Sequence, residues 1–368
     1  MSQPEFIVGT RGSALALTQT GFVVEALRKA HPSARFETIT IHTEGDRSTA
    51  ALSELGGRGV FVIEIERALL AREIDIAVHS LKDLPADETP GLTIAAVYER
   101  EDPRDVLVSR AGLPLARLPA GAVIGTGSPR RAAQVMAARP DLRIADIRGN
   151  VDTRLRKVED GEYDATVLAA AGLSRLGWLD RATQIFETHQ MLPAVGQGAL
   201  AVQTRADDAA AVAAVAALDH AATRAAVTAE RAFERRLGGG CHAAIAAYAV
   251  ILSATDHGTQ DNTSSSVILS STAPRAQDNT SSSVILSSTT ARARDNAPSR
   301  RNLEAGGVGT TPDRGEPRLH VRGLVGDAAG TLLRAELEGD PADADALGTT
   351  LAERLIQQGA GAMLEAAE

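Results

Sequence analysis

Lysine is nearly absent from this chain: only Lys29, Lys82 and Lys157 stand among 38 basic positions, the other 35 being Arg. A genome biased toward Arg codons produces that pattern, so Arg richness alone says little, whereas a place where Lys persists gains interest. Aromatic residues make up 3% of the chain, which removes the stacking platforms that single-stranded nucleic acid uses. Positive charge is also in deficit. A formal net charge of -9 with no basic tail argues against a polyanionic nucleic-acid partner and leaves room only for a local cationic cleft. A single cysteine, Cys241, excludes an internal disulfide. The eight His are scattered without HExxH or paired-cysteine spacing, so no metal is expected. A P-loop and a GxGxxG fingerprint are lacking too, which argues against nucleotide-driven chemistry. No unbroken run of roughly eighteen apolar residues occurs, and Met1 to Thr10 carries no charged head before an apolar stretch. Neither a membrane span nor an export signal is read, and the expected setting is the cytoplasm.

What is present is ordinary globular composition: 368 residues, 44% hydrophobic and 23% charged, enough for two or three compact domains. Short β-rich runs alternate with helix-period segments at Phe6–Gly9, Ala14–Ala30, Thr38–Ile41, Val60–Leu70 and Ile74–Val78, the pattern of parallel strands with crossover helices. It resumes with strands at Asp105–Val108, Val123–Gly125, Arg143–Asp146 and Ala165–Leu168, and helices at Pro129–Ala138, Val151–Asp160 and Ala171–Arg175. Ala199–Val202 reads as a strand returning to the first sheet. Asp208–Leu218 and Ala221–Leu237, rich in Ala and Arg and free of Pro and Gly, read as helices. Ala243–Leu252, Leu319–Val325, Leu332–Glu338 and Ala344–Gln358 then give three strands and a helix, a third and smaller α+β unit. It is interrupted by a low-complexity stretch, about residues 254–317, in which DNTSSSVILSST occurs at Asp261–Thr272 and again at Asp278–Thr289. Two copies are too few for a stacked solenoid, so a disordered surface insertion is expected.

Three places carry chemistry. At Ala77-Val78-His79-Ser80-Leu81-Lys82-Asp83-Leu84-Pro85 a buried-looking strand runs into a polar cluster, and ligands collect at such strand ends. A Lys-Asp pair is most often a solvated surface pair; this one sits where function sits. In Gly125-Thr126-Gly127-Ser128-Pro129-Arg130-Arg131, Ser128 suits an N-cap and Pro129 the first helical residue. Two Arg in that first turn oppose the helix dipole unless an anion is present. More Arg recur at such junctions, Arg11, Arg148, Arg154 and Arg175, and since a guanidinium grips a carboxylate at two points, together they suggest a ligand with several carboxylates. The third place is Gly238-Gly239-Gly240-Cys241-His242, whose glycines let the thiol approach something bulky. A lone Cys is most often an inert buried residue, and adjacent Cys and His rarely supply thiol-protease geometry.

In this order the runs Thr10–Leu17, His79–Pro85, Glu101–Asp105, Gly125–Arg131, Arg148–Asn150, Leu192–Gly198 and Gly239–Cys241 resemble the hydroxymethylbilane synthase (porphobilinogen deaminase) family. The resemblance runs from about Phe6 to Leu252 and from Leu319 to the C-terminus. It implies an α/β protein of three domains: residues 1–98 with 197–217, residues 99–196, and residues 218–368 carrying the insertion. The first two would form lobes like those of a type II periplasmic binding protein, hinged around a cleft. It also implies a transferase that condenses four porphobilinogen molecules head to tail, with loss of ammonia, on a dipyrromethane cofactor joined to Cys241 by a thioether. On this resemblance Asp83 is catalytic. Ser13, Lys82, Thr126, Ser128, Arg130, Arg131 and Gly172 bind the cofactor, and Arg11, Gln19, Arg148, Arg154 and Arg175 bind substrate. A monomer is implied, with porphobilinogen as its partner.

Some positions depart from the family pattern: Glu54 and Ile63 stand where many relatives carry Lys, and Arg58 replaces another. Gly127 replaces a common Ser, and Ala243-Ala244 replaces Val-Pro. These departures weaken an assignment of the Gly56-Gly57-Arg58 loop as a cationic lid and leave the roles of Asp83 and Cys241 untouched. The rival from another class is a solute-binding protein of the same two-lobed architecture, since fold alone does not fix function. Such a receptor would carry an export signal and need no thiol.

Overall fold

The computed structural model describes residues 4–41, 62–238, 243–252 and 316–366. The repeated DNTSSSVILSST segment, the Gly56-Gly57-Arg58 loop and Cys241 lie outside the described residues.

The first lobe is built on a five-stranded sheet. β1 (Glu5–Arg11) leads through α1 (Ala14–Ala30) to β2 (Arg35–Ile41), and α2 (Ile63–Leu70) leads to β3 (Ile76–Ser80) and then β4 (Leu92–Val97). β10 (Leu200–Arg205) completes it, and the strand order is β2-β1-β3-β10-β4. Ser13 caps α1, its Oγ accepting from the Ala16 N–H. The helix stops at His31 because Pro32 disfavours helical backbone in the residue before it. β10 is buried along its whole length, as befits a strand with neighbours on both sides and helices on both faces.

The second lobe repeats this plan. β5 (Asp105–Ser109), β6 (Val123–Gly125), α3 (Pro129–Ala138), β7 (Arg143–Ala145), α4 (Val151–Glu159), β8 (Ala165–Ala169), α5 (Ala170–Arg175) and β9 (Gln184–Ile185) form a sheet of order β7-β6-β8-β5-β9. Ser128 caps α3 and Pro129 opens it, as its sequence predicts, and Arg139-Pro140 ends it as His31-Pro32 ends α1.

The sheets are mixed rather than parallel throughout. β1, β2 and β3 run parallel, as do β6, β7 and β8. β10 runs antiparallel to both β3 and β4, and β5 antiparallel to β8. The reason is the double crossover: β5 follows the passage into the second lobe and β10 the passage back, so each enters its sheet from the side of the other lobe.

α6 (Ala209–Val215) and α7 (Ala221–Leu237) lead to the third domain, where β11 (Ala244–Leu252), β12 (Arg318–Gly326) and β13 (Leu332–Gly339) form an antiparallel sheet covered by α7, α8 (Ala344–Gln357) and α9 (Ala360–Glu365). Phe233, Val321, Leu351 and Leu355 are at the centre of its core. β11 and β12 pair in one unbroken register from Ala244↔Gly326 to Leu252↔Arg318. Leu252 and Arg318, which flank the low-complexity segment, therefore meet as strand partners.

Candidate active site

Asp105 opens β5 with a side chain that is fully buried and fully engaged. Arg130 Nη1 donates to Oδ2 at 2.6 Å, while Arg131 donates to Oδ1 from Nε at 3.0 Å and from Nη2 at 2.8 Å. Gln197 Nε2 reaches the same Oδ1 at 3.1 Å. Burial opposes ionisation of Asp105, but the Arg130 and Arg131 charges outweigh it and hold the carboxyl well below the usual carboxylate range. The anion demanded by two Arg in a helix's first turn is thus, in part, the protein's own. Arg130 Nη1 also donates to the Leu192 carbonyl at 2.7 Å. Its charge is disfavoured by burial, with Asp105 opposing and Arg131 reinforcing that effect.

Lys82 and Asp83 occupy a single helical turn, Leu81–Asp83, directly after β3. Burial and then Arg131 push the Lys82 ammonium down to about 8, against the pull of Asp83 and Asp105. Arg154, on α4, is lowered to about 10 by burial and then by Arg131 and Arg148, against Asp146 and Asp83. Residues of both lobes, Lys82 and Asp83 from the first and Arg131, Arg148 and Arg154 from the second, therefore share one electrostatic neighbourhood. Its cations press on one another, so a ligand bearing several carboxylates would relieve them. A dipyrromethane, with an acetate and a propionate on each ring, is chemically such a ligand.

The remaining predicted residues sit around this centre in different ways. Arg11 ends β1 and disfavours charge on His79. Arg148 Nε donates to Asp146 Oδ2 at 2.7 Å, and Arg154 Nε to the Gly149 carbonyl at 2.8 Å. Gln19 is buried and hydrogen bonds Ser80 across α1 and β3 at 3.0 Å. Ser13 and Ser128 both spend an oxygen as N-caps. Buried Thr126 offers Oγ1 to the Ser128 N–H at 3.2 Å. Gly172 lies in α5 facing α1: a Cβ there would stand 3.7 Å from Leu15 Cδ2. Arg175 Nη2 donates to the Gly198 carbonyl at 2.7 Å.

The segment Val195-Gly196-Gln197-Gly198, which returns the chain to the first lobe, is locked. Gly196 (φ 68°) and Gly198 (φ 90°) occupy the left-handed region that favours glycine. A Cβ would also meet Leu81 Cδ2 at 2.0 Å or the Glu101 carbonyl at 2.3 Å. The outgoing crossover is fixed at the same place. Fully buried Glu230 of α7 takes Arg100 Nη1 at 2.6 Å and accepts from the Gly196 N–H at 2.7 Å and the Ala249 N–H at 2.8 Å. Arg100 Nε donates to the Gln197 carbonyl at 2.8 Å, and its guanidinium stands 5.0 Å from the Tyr248 ring centroid. Both crossovers are thereby tied to the third domain.

Sequence reasoning assigned no role to Asp105, Gln197, Arg100 or Glu230. A signal existed for two of them. Asp105 is a charge opening an otherwise apolar β run, and Gln197 is a polar residue between two glycines.

The family sequence model described as "Porphobilinogen deaminase, dipyromethane cofactor binding domain" matches residues 6–213, and "Porphobilinogen deaminase, C-terminal domain" matches residues 224–257. A porphobilinogen deaminase of Syntrophus aciditrophicus is 53% identical over 243 residues, 66% of this chain and 79% of that protein. One of Brevibacillus brevis is 51% identical over 245 residues, 66% of this chain and 79% of that protein. One of Thermus thermophilus is 42% identical over 353 residues, 96% of each chain.

Proposed function

The chain belongs to the porphobilinogen deaminase family, and from that premise we infer that the cation-lined cleft around Asp83 is where it builds hydroxymethylbilane. The activity is that of a transferase of tetrapyrrole biosynthesis. Four porphobilinogens are joined head to tail, one ammonia leaves for each, and water releases the product. The dipyrromethane, when bound, supplies the free pyrrole α-carbon from which the chain grows. The observation that carries the site assignment is that Lys82 and Arg154, one from each lobe, are both disfavoured as cations first by burial and then by Arg131, and both favoured by Asp83.

The residues of this chain divide the work. Lys82, Arg131, Arg148 and Arg154 neutralise acetate and propionate groups, whose number rises as rings are added. Arg131 does so while anchored by Asp105, which fixes its plane before a ligand arrives. Asp83 places a carboxylate where positive charge develops on porphobilinogen as ammonia departs. A carboxylate oxygen of Asp83 also accepts the proton lost from the pyrrole α-carbon after coupling. Cys241 holds the cofactor by a thioether, and Ser13, Thr126, Ser128 and Gly172 shape the wall near it. Arg11, Gln19 and Arg175 complete the substrate side. The same reading carries a cytoplasmic location, checked by cell fractionation, and a monomer, checked by sedimentation velocity.

Single-turnover ammonia release at saturating porphobilinogen tests the assignment. Asp83→Asn keeps shape but loses charge, and is expected to slow release by several orders of magnitude, while Asp83→Glu retains a measurable fraction. A near-normal rate in Asp83→Asn would remove the catalytic role.

A further inference from the structure

The carboxamide of buried Gln197 has its orientation dictated by its surroundings. Nε2 faces three acceptors: the Pro103 carbonyl at 2.7 Å, Asp105 Oδ1 at 3.1 Å and the Arg104 carbonyl at 3.4 Å. Turning the amide over would set Oε1 against those oxygens, so one orientation satisfies the site. Oε1 is left facing Lys82 Nζ at 3.5 Å. The Gln197 backbone cannot shift to follow Lys82, because its own carbonyl and its two neighbours are bound to Arg100, Glu230 and Arg175.

We propose that Gln197 is a positioning residue: its Oε1 holds the Lys82 ammonium beside Asp83, and its Nε2 ties that ammonium to the Asp105 that anchors Arg131. Cations from the two lobes then meet incoming carboxylates in fixed relative places. This rests on reading the cleft as the primer site. The choice of an amide follows from the charges facing Lys82, which are Asp83 in its own turn, Asp105 on β5, and Arg130 and Arg131 on α3. A carboxylate at position 197 would satisfy the ammonium outright and compete with the primer. It would also lie against Asp105 and two carbonyls. A neutral oxygen orients the ammonium while leaving its charge available.

The chain has only three lysines, so selective 13C-lysine labelling gives an NMR titration in which Lys82 stands almost alone. In full-length protein free of primer, Lys82 is expected to titrate at lower pH in Gln197→Met than in wild type. In Gln197→Glu it is expected at higher pH, with Lys29 and Lys157 unmoved in both. Primer loading from porphobilinogen, read by intact mass against pH, should lose its alkaline limb at lower pH in Gln197→Met, in step with Lys82. A glutamine that merely supports the fold would lower loading by one factor at every pH. Unchanged Lys82 titration in the folded variants overturns the proposal. If Gln197→Met does not fold, the near-isosteric Gln197→Glu decides by the presence or absence of its upward shift. Failure of wild type to load primer would sink the reading of the cleft, while the lysine titration still judges Gln197.

Discussion

Replacing Asp105 by Asn isolates what the second lobe spends on its own Arg pair. The substitution keeps volume but removes the charge that faces Arg130 and Arg131, which are 4% and 6% exposed. Of its two terminal groups, the new NH2 must point at a guanidinium donor whichever way the amide turns. Removing one partner of a buried ionic network costs about 3–5 kcal/mol, because the other charge stays buried and uncompensated. That is a large part of the roughly 5–15 kcal/mol available to a domain. The single tryptophan, Trp178, packs in the second lobe with Val106, Leu155, Leu168 and Leu173. Its fluorescence during urea unfolding therefore reports the lobe that contains Asp105, even if the domains unfold separately. The double variant Asp105→Asn/Arg130→Met should recover part of the loss, since it withdraws one orphaned cation, and the cycle measures that coupling. Loaded protein should lose less than unloaded protein, because primer carboxylates lend Arg131 a second partner. A Trp178 transition moved by less than about 1 kcal/mol, within the range of ordinary substitutions, would refute the account of Asp105 as the anion on which both Arg depend.

Other expectations follow from the same geometry. Burial holds the His79 imidazole neutral and pushes it down to about 4, with the Gln203 hydrogen bond opposing and Arg11 reinforcing. The unfolded chain takes up that proton below its ordinary value of 6.5, so stability present above pH 6.5 is lost as pH falls through 4. The loss is about 3 kcal/mol, and urea midpoints measured across that window should flatten in His79→Gln. Arg148→Lys and Arg131→Lys should load primer and elongate poorly, since an ammonium cannot make the planar two-point contact; normal product formation by both would contradict the carboxylate clamp. Cys241→Ser should fold yet give no colour with Ehrlich's reagent, because a hydroxyl is a much weaker nucleophile at neutral pH; equal colour would remove Cys241 as the attachment site. Deleting residues 256–315 and joining the ends by a tight turn should leave activity intact, given that Leu252 and Arg318 already face each other as strand partners; a variant that no longer folds would refute this.

Helix boundaries and strand runs of the two lobes were legible because their signals are local. Ser13 and Ser128 before apolar-periodic stretches, Pro32 and Pro140 after them, and the β-rich runs at Phe6, Val123 and Ala165 all speak through neighbours in the chain. Strand direction was not legible in this way. β4, missed as an element, and β10 gain their place by pairing with each other across about a hundred intervening residues, and nothing within Leu92–Val97 encodes that partner. The site divides along the same line. The cluster at Lys82-Asp83 and the Arg at strand ends can be read as charge arriving where a sheet collects ligands, but the sequence does not say which charges are already spent. Arg130 and Arg131 are adjacent and look equivalent, yet Arg130 Nη1 is shared between Asp105 and the Leu192 carbonyl, while Arg131 presses more strongly than Arg130 on Lys82 and alone of the two presses on Arg154. The two differ because a helix turns them to different sides of one carboxylate, 25 residues before Arg130 and 26 before Arg131, so that each meets a different oxygen of it. A count of basic residues therefore overstates the cations offered to a ligand. What corrects the count is the buried acid, and its signature in sequence is a charge standing where a strand would otherwise continue its apolar run.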